Sequence, residues 1–119
     1  MRSEQEVMDL ILRVANADER IRAVLLVGSR ANPAAPKDIY QDYDITYFVE
    51  DITPFYNNPV WIEEHFGKPL IMQMPEVMRD FDGDGHFTYL IIFPDGVRID
   101  LSFEFTRYID DGEPAVVLL

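Results

Sequence analysis

The stretch from Phe87 to Phe105 constrains the fold more than any other part of the chain. Two apolar-rich runs, Phe87 to Phe93 and Val97 to Phe105, flank Pro94-Asp95-Gly96, a short turn signal that commits them to an antiparallel hairpin. In the second run Val97, Ile99, Leu101, Phe103 and Phe105 alternate with Arg98, Asp100, Ser102 and Glu104. A period of two sends these sets to opposite faces. The sheet containing this hairpin therefore has an apolar face that must be covered and a polar face that carries Asp100.

Two segments have the pattern needed to cover it. Ser3-Glu4-Gln5-Glu6 has the S-x-x-E capping spacing, and Val7, Leu10, Ile11 and Val14 then recur along one helical stripe, which predicts a helix from about Glu4 to Ala17. Asn58 followed by Pro59 offers an N-cap and a first helical residue, and Gly67 a stop, so a short helix is expected over Pro59 to Phe66. Trp61 and Phe66 should close it against the sheet.

Three further strands are expected. Ile21 to Val27 is a nearly continuous apolar run ending at Gly28, as in a strand buried on both faces. From Asp42 to Val49, Tyr43, Ile45, Tyr47 and Val49 face the core, while Asp42, Asp44 and Thr46 share the other side. Leu70 to Met74 is the third. Asn32 to Asp38 reads as a loop from its two prolines, and Pro75 to Phe81 as one or two helical turns. The fold class is α/β (α+β): a small mixed β-sheet with helices packed on one face.

Composition narrows the function. At 119 residues the chain suffices for one domain, 1–119, and its 48% hydrophobic content is enough for a core. Zero cysteines exclude disulfides, thiolate metal sites and a thiol nucleophile. The first residues include Glu4, Glu6 and Asp9 rather than a basic and apolar leader, and no run approaches the ~20 apolar residues of a membrane span. A cytoplasmic location without membrane association is expected. With 22 acidic against 10 basic residues, net charge -12, the chain is a poor nucleic-acid binder and attracts cations instead.

The residues that carry chemistry are Gly28-Ser29 after one strand, Asp42-x-Asp44 on the next and Asp100 on a later one. Gly-Ser after a strand is an ordinary turn when taken alone. Two like charges at i and i+2 on one strand face repel unless solvent or a cation screens them. Solvent exposure is one answer. A divalent ion is the other, because Mg²⁺ takes hard oxygen ligands, commonly one or two carboxylates with water and substrate phosphate. Glycine lets backbone approach a phosphate closely, and the N–H groups and Ser29 hydroxyl can hold a nucleotide's terminal phosphates.

Other polar features read more simply. Asp80-x-Asp82-x-Asp84-Gly85 matches half of an EF-hand loop, but its twelfth position is Ile91 where a bidentate Glu is required, so a solvated acidic turn is expected. His65 and His86 have no partner motif. Glu104 shares the face of Asp100 but is read as solvated.

The ordered strings Val27-Gly28-Ser29-Arg30-Ala31-Asn32, Gln41-Asp42-Tyr43-Asp44-Ile45, Trp61 to Gly67, Met72-Gln73-Met74-Pro75-Glu76 and Asp95-Gly96-Val97-Arg98-Ile99-Asp100-Leu101 span nearly the whole chain. Together they resemble the N-terminal domain of the aminoglycoside 6-adenylyltransferases, which modify streptomycin and have the polymerase-beta-like nucleotidyltransferase fold. The resemblance implies ATP as donor, Mg²⁺ as cofactor and transfer of AMP to an aminoglycoside hydroxyl. It implies Asp42 and Asp44 as Mg²⁺ ligands and Asp100 as a third ligand or the base. Gly28, Ser29 and Arg30 then serve the triphosphate. ATP and an aminoglycoside are the implied small-molecule partners, and antibiotic resistance the implied outcome.

The resembled enzymes continue into a helical C-terminal domain, whereas this sequence stops at Pro114 to Leu119; a fragment, an engineered domain or a truncated gene product is the expectation. Two other functions compete: a nucleotide-binding unit without catalysis of its own, and a minimal nucleotidyltransferase acting on a protein or RNA. The absence of a basic surface disfavours RNA.

Overall fold

A computed structural model describes residues 2–27, 42–73, 87–106 and 115–117. Helix α1, Glu4–Ala17, starts at the expected box: Ser3 Oγ accepts from the Glu6 amide and the Ser3 amide donates to Glu6 Oε1. Its stripe of Val7, Leu10, Ile11, Val14 and Ala15 is buried. Helix α2, Pro59–Phe66, is capped by Asn58 Oδ1, which accepts from the Trp61 amide at 3.3 Å. It ends at Gly67, whose φ of 93° and ψ of 167° suit glycine rather than a residue with a Cβ.

The strands are β1 (Ile21–Val27), β2 (Tyr43–Val49), β3 (Ile71–Gln73), β4 (Phe87–Ile92), β5 (Arg98–Phe105) and β6 (Ala115–Val117). They form a six-stranded sheet in the order β3-β4-β5-β2-β1-β6. Only β2 and β5 run parallel among the described strands; the other neighbours are antiparallel. The mixed sheet with helices over one face is therefore as expected. The hairpin closes where the Phe93 amide donates to the Val97 carbonyl and the Gly96 amide to the Phe93 carbonyl, with φ of 89° at Gly96.

Element ends moved by a residue or so. The second strand begins at Tyr43 rather than Asp42, and the third covers Ile71–Gln73. Met74, the segment Pro75 to Phe81, the acidic turn Asp80 to Gly85, His86 and the loop Asn32 to Asp38 lie outside the described residues. Two elements were not anticipated. Thr53–Phe55 forms a 3-10 turn that buries Phe55, and Ala115–Val117 pairs with Leu25 to Val27 as an edge strand. The apolar run near the end of the sequence thus belongs in part to the sheet.

The core lies between the helices and the odd-numbered side chains of β2, β4 and β5. Phe103 sits at its centre, with ring centroids 4.6 Å from Phe55, 5.5 Å from Phe87, 5.7 Å from Trp61 and 5.8 Å from Tyr47. Buried hydroxyls lock the layers together. Tyr47 Oη donates to the Ile11 carbonyl of α1 at 2.7 Å, and Tyr89 Oη donates to the Phe55 carbonyl at 2.6 Å while accepting from the Asn58 amide. Tyr43 and Tyr47 are core residues, as the alternation required. Leu25 and Phe48 are buried outside the main cluster, so β1 does bury both faces at its centre, although Arg22 near its start is exposed.

Candidate active site

Alternation places Asp44 and Asp100 on the sheet face opposite the helices, and the parallel pairing of β2 with β5 sets them directly opposite each other. Strand sterics alone would not choose this arrangement, because like charges on facing positions destabilise a sheet. Asp42 lies just before β2. Val27, the last residue of β1, pairs with Asp44, so the chain leaves β1 at the carboxylate end of the sheet. Gly28, Ser29 and Arg30, which follow, lie outside the described residues.

The electrostatics show the crowding. Burial first, then the neighbouring Asp100 carboxylate, its hydrogen bond and the charge of Asp42, push Asp44 up to about 6. Arg98 offsets part of this. Its Nε lies 3.4 Å from Asp42 Oδ2 and 3.4 Å from Asp100 Oδ1. Below the carboxylates the same face turns neutral: Thr46 pairs with Ser102, whose Oγ lies 2.7 Å from Thr88 Oγ1.

The chemistry of these donors fits a hard divalent cation, and a carboxylate pair that repels itself is the arrangement such an ion relieves. Asp44 and Asp100 meet that requirement as they stand. Arg98 stands equally close to Asp42 and Asp100, and among the described residues no group of three acidic or imidazole side chains is gathered closely enough to hold an ion by itself. The expected trio is thus gathered on one face, but not closed into a ligand set.

Arg98 is the site residue that sequence reasoning left without a role. The signal was present, since Arg98 stands two positions before Asp100 on the same strand face. Glu104 also shares that face, but is about 13 Å farther along the strand from Asp100. His65 is remote from the carboxylates; it packs on Trp61 at the end of α2, with ring centroids 4.8 Å apart. Among the described residues no helix is long and apolar enough to cross a membrane.

Comparison with known proteins identifies the family. The family model for streptomycin adenylyltransferase matches residues 1–119. An aminoglycoside 6-adenylyltransferase of Bacillus subtilis (strain 168) is 49% identical over 113 residues, covering 93% of this chain and 39% of that protein. One from Campylobacter jejuni is 46% identical over 112 residues, covering 93% and 38%. A crystal structure of an aminoglycoside 6-adenyltransferase from Bacillus subtilis superposes with a TM-score of 0.69 at 43% identity, over 90% of this chain and 36% of that one. The chain therefore spans about two fifths of the length of the curated relatives it matches.

Proposed function

Because the chain belongs to the streptomycin adenylyltransferase family, we propose that its carboxylate face serves the transfer of AMP from ATP to a hydroxyl of an aminoglycoside such as streptomycin. The observation that carries this reading is the placement of Asp44 opposite Asp100 at the sheet end where β1 finishes. Such a pair is costly for folding alone and useful for holding a cation.

In this reading Asp42, Asp44 and Asp100 hold Mg²⁺. When bound, the ion neutralises charge developing on the phosphates and orients them for in-line displacement. Gly28 and Ser29 bind the triphosphate, and Arg30 adds positive charge beside it. The acceptor hydroxyl forms a bond to the α-phosphorus, the bond from that phosphorus to the bridging oxygen breaks, and pyrophosphate leaves. In the same reading Asp100 takes the hydroxyl proton when it is not engaged as a ligand. The rigid parallel pair β2 and β5 supplies the positioning on which such reactions depend. A net charge of -12 favours encounter with a polycationic acceptor.

The test is incubation of the chain with ATP, Mg²⁺ and streptomycin, with adenylylated drug read by mass spectrometry. Product from the parent chain and none from Asp44→Asn supports the reading; equal product from both overturns the site assignment. The coverage of two fifths of each relative favours a second reading, nucleotide binding without turnover by this chain. Heat on titration with Mg·ATP, without product, would establish that alternative.

A further inference from the structure

Building on the reading of Asp42, Asp44 and Asp100 as a cation site, we propose that Arg98 is the internal counterion of that site. It competes with the divalent ion for the same carboxylate oxygens and is released toward the nucleotide phosphates when the ion binds.

The geometry is that of a shared and weakly held cation. One nitrogen, Nε, stands 3.4 Å from an oxygen of Asp42 and 3.4 Å from an oxygen of Asp100, a long hydrogen bond to Asp100 and an ion pair alone with Asp42. A nitrogen with one hydrogen cannot direct it at both acceptors, so the contact is largely electrostatic. The Arg98 side chain is 44% exposed, against 35% for Asp42 and 18% for Asp100, and ion pairs open to solvent on one side contribute modestly to stability. Displacing it is therefore easy, and a divalent ion brings twice the charge to the same oxygens.

Arginine suits the role for two further reasons. Its guanidinium is planar and more weakly hydrated than an ammonium, so it rests between two carboxylates at little desolvation cost. After displacement its planar fork remains on the same sheet face, because β5 fixes its backbone two residues from Asp100. A planar fork binds phosphate oxygens in pairs. Arg98 also ties the start of β5 to the residue preceding β2, which keeps the facing carboxylates together before any ion arrives. It is thus a positioning residue that exchanges one partner for another.

The test uses Mn²⁺ alone, titrated calorimetrically into the parent chain, Arg98→Gln, Arg98→Lys and Asp44→Asn, with circular dichroism confirming each fold. Removing a competing charge at this partly buried site is expected to tighten Mn²⁺ binding by about three- to ten-fold in Arg98→Gln. Arg98→Lys, which keeps the charge but loses the fork, should bind Mn²⁺ within about two-fold of the parent. Binding of Mg·ATP should weaken in Arg98→Gln even as Mn²⁺ binding strengthens, an opposition that a merely structural role would not produce. Unchanged or weaker Mn²⁺ binding in the folded Arg98→Gln variant overturns the proposal while leaving the cation site standing, provided Asp44→Asn loses the ion. If Asp44→Asn binds Mn²⁺ as the parent does, the cation-site reading fails and this proposal with it. Should Arg98→Gln not fold, Arg98→Met, which also removes the charge, takes its place, and absence of any tightening there overturns the proposal instead.

Discussion

Replacing Asp44 by Asn should stabilise the chain when no divalent ion is present. Asp44 rises from 3.8 to about 6 because burial and the facing Asp100 both disfavour its charge. Between these values the folded chain binds more protons than the unfolded one, so stability falls as pH climbs from about 4 through 6. A shift of roughly two units corresponds to about 3 kcal/mol, and partial solvent access at the site reduces the recoverable share to about 1–3 kcal/mol. Asn keeps the shape, removes the charge and can donate to Asp100. At pH 8 in EDTA, Asp44→Asn should raise the thermal midpoint by roughly 4–10 °C for a chain of this size; at pH 4 the two proteins should melt together. If the proposed cation site holds, saturating Mg²⁺ should reverse the order at pH 8, since the variant lacks one of its three carboxylates. An Asp44→Asn midpoint equal to or below the parent's in EDTA at pH 8 would refute the claim that the facing carboxylates strain the fold.

Further outcomes follow from the packing. Arg2 donates to both oxygens of Asp95 and, as the largest cause, its side-chain hydrogen bond holds that carboxyl far below its ordinary value; this contribution is full above about pH 4 and is lost as pH falls further, so urea unfolding of Asp95→Asn should show a stability deficit of about 1–2 kcal/mol at pH 7 that shrinks toward pH 2. Phe103→Ala should cost roughly 3–5 kcal/mol in the same assay, because the ring fills the middle of the aromatic cluster; a cost below about 1 kcal/mol would mean that the core collapses around the vacancy. At Gly67 an added Cβ would meet nothing within 4 Å, so any loss in Gly67→Ala comes from backbone conformation alone, about 1–3 kcal/mol, and should not be relieved by trimming neighbouring side chains.

The parts of the fold set by local chemistry were legible in the sequence. The Ser3 and Glu6 box, the Asn58-Pro59 start and the Pro94-Asp95-Gly96 turn each act within a few residues, and the strand alternation fixed the faces of Asp44 and Asp100. What local pattern does not carry is which strands become neighbours. Nothing near Asp44 indicates that Asp100 will stand opposite it in a parallel pair, and the facing register is where the site's electrostatics arise. The Thr53–Phe55 turn escaped because its stability depends on Tyr89 reaching the Phe55 carbonyl from β4. The edge strand Ala115–Val117 escaped because three residues have too little periodicity to read. Arg98 was visible as a polar-face residue, but its partnership with Asp42 crosses strands.

The parallel pairing of β2 with β5 also bears on how the chain reaches its native state. Residues 44 and 100 are separated by nearly half the sequence, and β2 pairs with a strand that belongs to the later β4–β5 hairpin. Contacts of such long range carry a loop-closure cost and tend to form late. The two carboxylates are thus strangers through the early stages of collapse, when their mutual repulsion would oppose compaction, and they meet only as the sheet is completed. A cation held between them would therefore report on finished molecules rather than on partly ordered ones.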